Sequence, residues 1–147
     1  MGAQWLSEDG LPTIGPPWSE LVAYDLNEGT IEWRVPVGNI PSLAAKGITN
    51  TGSYRPRTGP VVTAGGLIFL ASGGDRTLRV YDKDNGRVLW EKPLEANPDG
   101  IPAVFERRGR QYVVFYAAGD EGGGSRTPAM FRPGKPEAQG YYAFALP

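Results

Sequence analysis

The sequence predicts an all-β protein assembled from antiparallel four-stranded units, and three observations carry that prediction. Residues 59–90 (GPVVTAGGLIFLASGGDRTLRVYDKDNGRVLW) hold short apolar runs separated by turn formers; part of the chain recurs; and the composition favours turns over helices. The apolar runs at 60–63, 67–71, 77–82 and 87–91 are rich in β-branched and aromatic residues. They are separated by Ala64-Gly65-Gly66, Ser72-Gly73-Gly74-Asp75 and Asp82-Lys83-Asp84-Asn85-Gly86. Runs of that length and spacing read as an antiparallel meander. Repeated, such a unit builds a sandwich, a barrel or a propeller.

The repeat joins Ala23-Tyr24-Asp25-Leu26-Asn27-Glu28-Gly29-Thr30-Ile31-Glu32-Trp33 to Val80-Tyr81-Asp82-Lys83-Asp84-Asn85-Gly86-Arg87-Val88-Leu89-Trp90. Tyr, Asp, Gly and Trp keep identical offsets, and internal repeats decide a fold before any local signal does. Each type has a local reason. The Asp carboxylate accepts backbone N–H groups of the turn it opens. The Gly supplies a positive φ where the hairpin reverses. The Trp is large and mostly apolar, and packs flat between neighbouring sheets.

These residues resemble the tryptophan docking motif, A-x-D-x-x-x-G-x-x-x-W, of the quinoprotein dehydrogenases that use pyrroloquinoline quinone (PQQ). The first copy matches at Ala23, Asp25, Gly29 and Trp33; the second at Asp82, Gly86 and Trp90, with Val80 in place of Ala. Pro16-Pro17-Trp18, residues 21–27, residues 59–69, residues 109–114 and the closing Phe144-Ala145-Leu146-Pro147 are also similar to that family. The resemblance is strongest to its glucose (sugar) dehydrogenase branch and covers roughly residues 15–147. It implies a partial β-propeller of about two blades, the C-terminal part of an eight-bladed ring. Residues 1–19 would be an incoming loop, 20–36 the end of one blade, 59–92 a complete blade and 101–147 the closing blade. Further strands are expected at 20–25, 30–35, 101–106, 111–117 and 141–146, with one helical turn near residues 42–46. Trp33 and Trp90 are both expected to be largely buried.

The resemblance also implies a function. The parent would oxidise a sugar or alcohol hydroxyl with PQQ and calcium, the calcium polarising the quinone carbonyl. Its partners would be the remaining blades and a quinone electron acceptor, and its place the periplasm or the periplasmic face of a membrane. Alone, the chain is expected to be inactive, to hold neither cofactor nor metal, and to self-associate through uncovered blade faces. Tyr142, Phe144 and Leu146 alternate along the last strand and mark it as a pairing edge. The alternative reading is a non-enzymatic scaffold propeller that binds other proteins.

Composition sets limits. In 147 residues there are 21 Gly and 14 Pro, which suits many turns, while 40% hydrophobic residues suffice for a core. A net charge of −1 gives no reason to expect nucleic acid. No Cys and no His are present, so disulfides, thiolate metal sites and histidine catalysis are excluded for these residues. No signal peptide is read at the start. Gly122-Gly123-Gly124-Ser125-Arg126-Thr127 lacks the phosphate-loop spacing and reads as a surface loop. The turn from Asp82 is no EF-hand, because Pro93 stands where the final Glu belongs.

Arg55 and Arg57 are the chief cofactor candidates, with Asn50 and Thr58 beside them. They precede the run at 59–63, which the resemblance makes an inner strand lining the channel. Guanidinium forks suit the carboxylates of PQQ. The resemblance places the family's catalytic Asp, calcium ligands and principal cofactor lysine in preceding blades, and none is carried over.

Overall fold

The computed structural model describes residues 5–53, 58–118 and 135–146. Among them run nine strands: β1 (Glu20–Asp25), β2 (Thr30–Pro36), β3 (Val61–Val62), β4 (Leu67–Ser72), β5 (Thr77–Asp82), β6 (Val88–Pro93), β7 (Asn97–Arg107), β8 (Arg110–Ala118) and β9 (Gly140–Ala145). One helical turn, α1 (Pro41–Ala44), and a 3₁₀ turn at Pro136–Ala138 complete the elements. The strands form three antiparallel sheets in order β1-β2, β3-β4-β5-β6 and β7-β8-β9. This is the expected all-β, partial-propeller architecture. Most boundaries differ from the sequence reading by a residue or two, and β3 and β7 show why. β3 has only two residues, because Pro60 and the Ala64–Gly66 turn confine its pairing. β7 begins at Asn97, because polar residues ahead of Ile101 pair with the end of β8.

The repeat is visible in the register. β1 pairs with β2 and β5 with β6, each through a bulge after the same residue of the repeat: Ala23 faces Trp33 while Tyr24 faces Ile31, and Val80 faces Trp90 while Tyr81 faces Val88. The extra residues, Glu32 and Leu89, sharpen the local twist. The turns match as well. Asp25 Oδ1 accepts the Asn27 N–H at 2.7 Å, and Asp82 Oδ1 accepts the Asp84 N–H at 2.9 Å. Both turns close on a Gly with φ of 71°.

The central sheet carries apolar side chains on both faces. Ile68, Leu70 and Tyr81 pack with Val37 against Leu21, Trp33 and Val35 of the first sheet. Phe69 and Val80 meet Val113 on the other side, and Ala71 and Leu78 join Leu94, Ala96, Phe115 and Ala117. Burial on two faces explains why β4 and β5 read as continuous apolar runs rather than alternating ones.

Trp33 reaches from the first sheet to the turn of the second. Its indole N–H donates to the Lys83 carbonyl at 3.1 Å. A Cβ at Gly86 would lie 2.7 Å from Trp33 Cε3, so only glycine fits beneath the ring. Trp90 departs from expectation: it is 44% exposed. Its ring meets Phe144 edge to face, with centroids 6.0 Å apart. Phe144 belongs to the third sheet. Ala143-Phe144-Ala145-Leu146 follows the pattern of Ala23-Tyr24-Asp25-Leu26 but has Ala145 at the Asp position. Tyr142 and Phe144 pack inward against the core on one face, while Tyr141 points out and is 82% exposed, and β9 remains the terminal strand of its sheet, paired among the described residues only with β8.

Trp33→Ala is expected to cost about 3 kcal/mol and Trp90→Ala only about 1 kcal/mol, measured by urea unfolding. Equal costs would contradict the asymmetry. The second prediction concerns Tyr81, whose phenol is pushed by burial up to about 12. Its hydroxyl has no hydrogen-bond partner among the described residues. The unfolded phenol titrates near 10. The folded state therefore keeps a proton that the unfolded state loses, and stability falls as pH rises from about 10 to about 12, by roughly 2–3 kcal/mol. Unfolding of Tyr81→Phe should lose that alkaline step and be little changed at neutral pH.

Candidate functional site

The connections separate into two ends. The tight turns at 26–29, 63–66 and 83–87 share one end, where the Lys83 N–H donates to the Gly66 carbonyl at 2.9 Å. The opposite end carries the β2–β3 connection, the β4–β5 turn and the β6–β7 link. There Gly74 N–H donates to Ser53 Oγ at 3.0 Å, and Arg76 donates to the Glu95 carbonyl at 2.6 Å. Asn50 and Thr58, two of the sequence-nominated cofactor residues, belong to the β2–β3 connection at this loop end.

That connection is folded into the molecule rather than left as an open loop. Ile40 and Ser53 are fully buried and Thr51 is 1% exposed. Thr51 Oγ1 accepts the Ile40 N–H at 2.9 Å, and the Ser53 N–H donates to the Val37 carbonyl at 2.6 Å. Ser19 Oγ donates to the same carbonyl and accepts from Ser53. Gly52, at φ 70°, lies so close to Ser19 and Trp18 that a Cβ would meet Ser19 N at 2.5 Å.

A charged cluster clamps the start of this connection to the central sheet. Arg79 Nη2 donates to Asp75 Oδ2 at 2.6 Å, and Nη1 donates to Ser72 Oγ at 2.9 Å. Arg79 Nε lies 3.3 Å from Glu91 Oε2. Ser72 donates in a short bond to Asp75 Oδ1. The other carboxylate oxygen of Asp75 accepts the Asn39 N–H at 3.1 Å. Gly38, at φ 73°, lets the backbone approach: a Cβ there would lie 2.8 Å from Ser72 Oγ. Burial by itself would lower the Arg79 guanidinium. The hydrogen bond and charge of Asp75 outweigh it and hold the group above its ordinary value. Arg79 is thereby a structural clamp, with its donors committed inside the chain.

The four nominated residues fall differently. Arg55 and Arg57 lie outside the described residues. Asn50 is exposed on the connection in the left-handed region, φ 59°. Thr58 sits where the chain enters β3, forms a parallel bridge to Gly100, and spends its hydroxyl on the Ala71 carbonyl. Past Thr58 the inner edge is apolar: Val62 is 55% and Ile101 70% exposed, with Pro60 and Ala103 also exposed. Sequence reasoning missed Asp75, Ser72 and Arg79. The available signal was Arg79 itself, a charge between Leu78 and Val80 in a run otherwise fit for burial. Among the described residues no group of three Asp, Glu, His or Cys could hold a metal ion.

Asp75→Ala would leave Arg79 buried beside a missing partner and should cost about 3–5 kcal/mol. Faster hydrogen exchange of the Asn39 and Ile40 amides checks the clamp. Unchanged exchange there would show that Asp75 does not hold the connection.

Comparison with known proteins agrees with this architecture. The family model described as "PQQ: Glucose/ethanol/alcohol dehydrogenase, beta-propeller domain" matches residues 1–113. The quinate/shikimate dehydrogenase (quinone) of Acinetobacter baylyi is 33% identical over 123 residues, 79% of this chain and 15% of that protein. The quinoprotein glucose dehydrogenase of Escherichia coli is 33% identical over 119 residues, 78% of this chain and 15% of that protein. Among solved structures, the quinohemoprotein alcohol dehydrogenase of Comamonas testosteroni shares the fold with a TM-score of 0.52 at 23% identity, over 75% of this chain and 14% of that one. The chain thus spans about 15% of the length of the curated relatives it matches. No helix among the described residues is long and apolar enough to cross a membrane. With the family model covering most of its length, the chain belongs to the PQQ-dependent glucose/ethanol/alcohol dehydrogenase β-propeller family.

Proposed function

We propose that this chain forms the C-terminal blades of a longer quinoprotein that oxidises a sugar or alcohol hydroxyl and passes the electrons to a quinone acceptor. The observation that supports it is the family match over residues 1–113, on a chain whose sheets stack face to face as propeller blades do. The scaffold alternative finds less support, since the relatives of comparable identity are dehydrogenases. PQQ and calcium belong to this reading as cofactors of the longer protein, and periplasmic exposure as its location.

The described residues do not themselves fit a site for either group. They offer no metal-binding cluster, and the Arg79 guanidinium is consumed by Asp75, Ser72 and Glu91. What they supply is a wall and its support. Pro60, Val62, Ile101 and Ala103 present an apolar inner edge, and the Asp75 clamp fixes the connection that leads into it. A dry, rigid wall of this kind excludes water from a reaction compartment. Arg55 and Arg57 remain the candidates for carboxylate contact, with Asn50 behind them, while Thr58 acts through the backbone it anchors. Residues 20–36, 59–92 and 101–147 serve as the blade segments.

By itself the chain would be inactive, would not hold PQQ tightly, and would self-associate, because a ring-shaped site takes walls from most blades. The third sheet leaves an aromatic outer face, with Phe105 stacked on Tyr112 and Tyr141 against Tyr116. The full-length protein, given PQQ and calcium, should reduce a dye with glucose or a simple alcohol as donor. Chelation before reconstitution should abolish the rate, and Arg57→Ala should lower it roughly tenfold or more if its guanidinium meets a cofactor carboxylate. A full-length protein that reduces no dye with any sugar or alcohol would return the scaffold reading to first place.

A further inference from the structure

The turn between β5 and β6 has to carry glycine at residue 86. A Cβ there would lie 2.7 Å from Trp33 Cε3, 2.8 Å from Trp33 Cζ3 and 3.0 Å from Val35 Cγ1. The residue before it is Asn85, which is exposed, whereas Gly86 is buried under the indole. The side-chain amide of Asn85 is held at both ends. Its Oδ1 accepts the Arg87 N–H at 2.9 Å, and its Nδ2 donates to Asp82 Oδ2 at 3.0 Å. A side-chain oxygen that accepts the N–H two residues on closes an Asx turn. The Gly86 nitrogen is a member of that ring, so the amide carbon of Asn85 is kept beside it. Of Asn27, Asn39, Asn50, Asn85 and Asn97, only Asn85 precedes a glycine, whose nitrogen has no side chain beside it to obstruct an approach.

We propose that Asn85 is a site of self-modification: it deamidates through a cyclic imide closed by the Gly86 nitrogen, and the change dislodges Trp33. The Gly86 nitrogen loses its proton to solvent and attacks Asn85 Cγ. As the new N–C bond forms, negative charge gathers on Oδ1, where the Arg87 N–H meets it. The Cγ–Nδ2 bond then breaks, and the nitrogen leaves as ammonia. Water opens the imide at either carbonyl. One opening gives aspartate; the other gives isoaspartate, whose main chain runs through Cγ and is longer by a methylene. The sum is a water consumed and an ammonia released, with no oxidant, reductant or cofactor. Both products disturb the turn. Aspartate puts a second carboxylate where an N–H had faced Asp82 Oδ2. Isoaspartate lengthens the backbone directly before the glycine on which Trp33 rests, where even a Cβ would crowd the ring. The first repeat is spared, because Glu28 precedes Gly29 and has no amide to lose. The packing that demands glycine at 86 is thus what leaves the second turn open to this reaction. The inference stands on the turn geometry and not on the oxidation chemistry proposed above.

The test ages the chain, residues 1–147, in mildly alkaline buffer without cofactor, so that its failure leaves the dehydrogenase reading untouched. Tryptic cleavage after Lys83 and Arg87 isolates Asn85 for mass spectrometry, and an isoaspartate-specific methyltransferase reports the lengthened backbone. The NMR signal of the Trp33 indole N–H reports the seat. The expected result is an amide-to-acid mass gain at Asn85 ahead of every other asparagine, with methyltransferase labelling of the same peptide. The Trp33 indole signal should shift in the same fraction of molecules. Asn85→Gln, whose longer side chain would have to close a larger ring, should keep both its mass and its indole signal through the same incubation. Asn85→Asp should shift the indole signal less than ageing does, since it lacks the extra methylene. Mass gain at another asparagine first, an unchanged Asn85 after a free peptide of residues 82–88 has fully converted, or an unmoved Trp33 signal in converted chain would each overturn the proposal.

Discussion

Everything in this chain depends on the central sheet being apolar on both faces. Ile68, Leu70 and Tyr81 point one way, and Phe69, Ala71, Leu78 and Val80 the other. Each large side chain hidden there contributes on the order of 1.5–3 kcal/mol. That gain exists only while a sheet lies on each side. The neighbours must therefore be held in position at both ends of the strands, and they are held by different means. At the turn end an indole is seated on a bare backbone; at the loop end a carboxylate joins a buried guanidinium to the amide of Asn39. The first contact is apolar and shape-selective. The second is charged, and removing one member leaves the other stranded in a site with little water.

Much of the fold was legible in the sequence. The strands announced themselves because their residues have strong local preferences and their turns hold Gly, Asp and Asn at fixed offsets. The repeat told that two hairpins would share a turn, which is set within a few residues; the bulge they also share came only from the strand register. What escaped were properties decided by distant parts. Trp90 shares its local sequence pattern with Trp33, yet its ring meets Phe144 of the third sheet rather than a glycine turn. The alternation of Tyr142 and Phe144 marked the last strand, which is the edge of its sheet, but alternation does not say which face a neighbour covers.

The loop end was the least legible part. Its polar residues Thr51 and Ser53 carry chemistry that suits water as well as the interior. Buried, they serve equally well as partners for backbone groups that no strand pairs with. Arg79 was passed over for a related reason. A single charge within an apolar run suggests a strand edge, and only the fold brings Ser72, Asp75 and Glu91 around it. Asp75, Ser72 and Arg79 thus stand at the loop end with Thr58, while the Asp and Gly of each repeat stand at the turn end.

The order of the sheets along the chain has a consequence for biosynthesis. β4 and β5 leave the ribosome before any of the strands that will cover Phe69, Leu78 and Val80 exist. For the time taken to translate β7, β8 and β9, the nascent protein displays a half-covered apolar sheet. Such surfaces recruit one another readily. The exposed charges of Glu91 and Lys92 on β6, the outermost strand of that sheet, stand at the edge where a second nascent chain would have to pair, and make that pairing unfavourable during the interval.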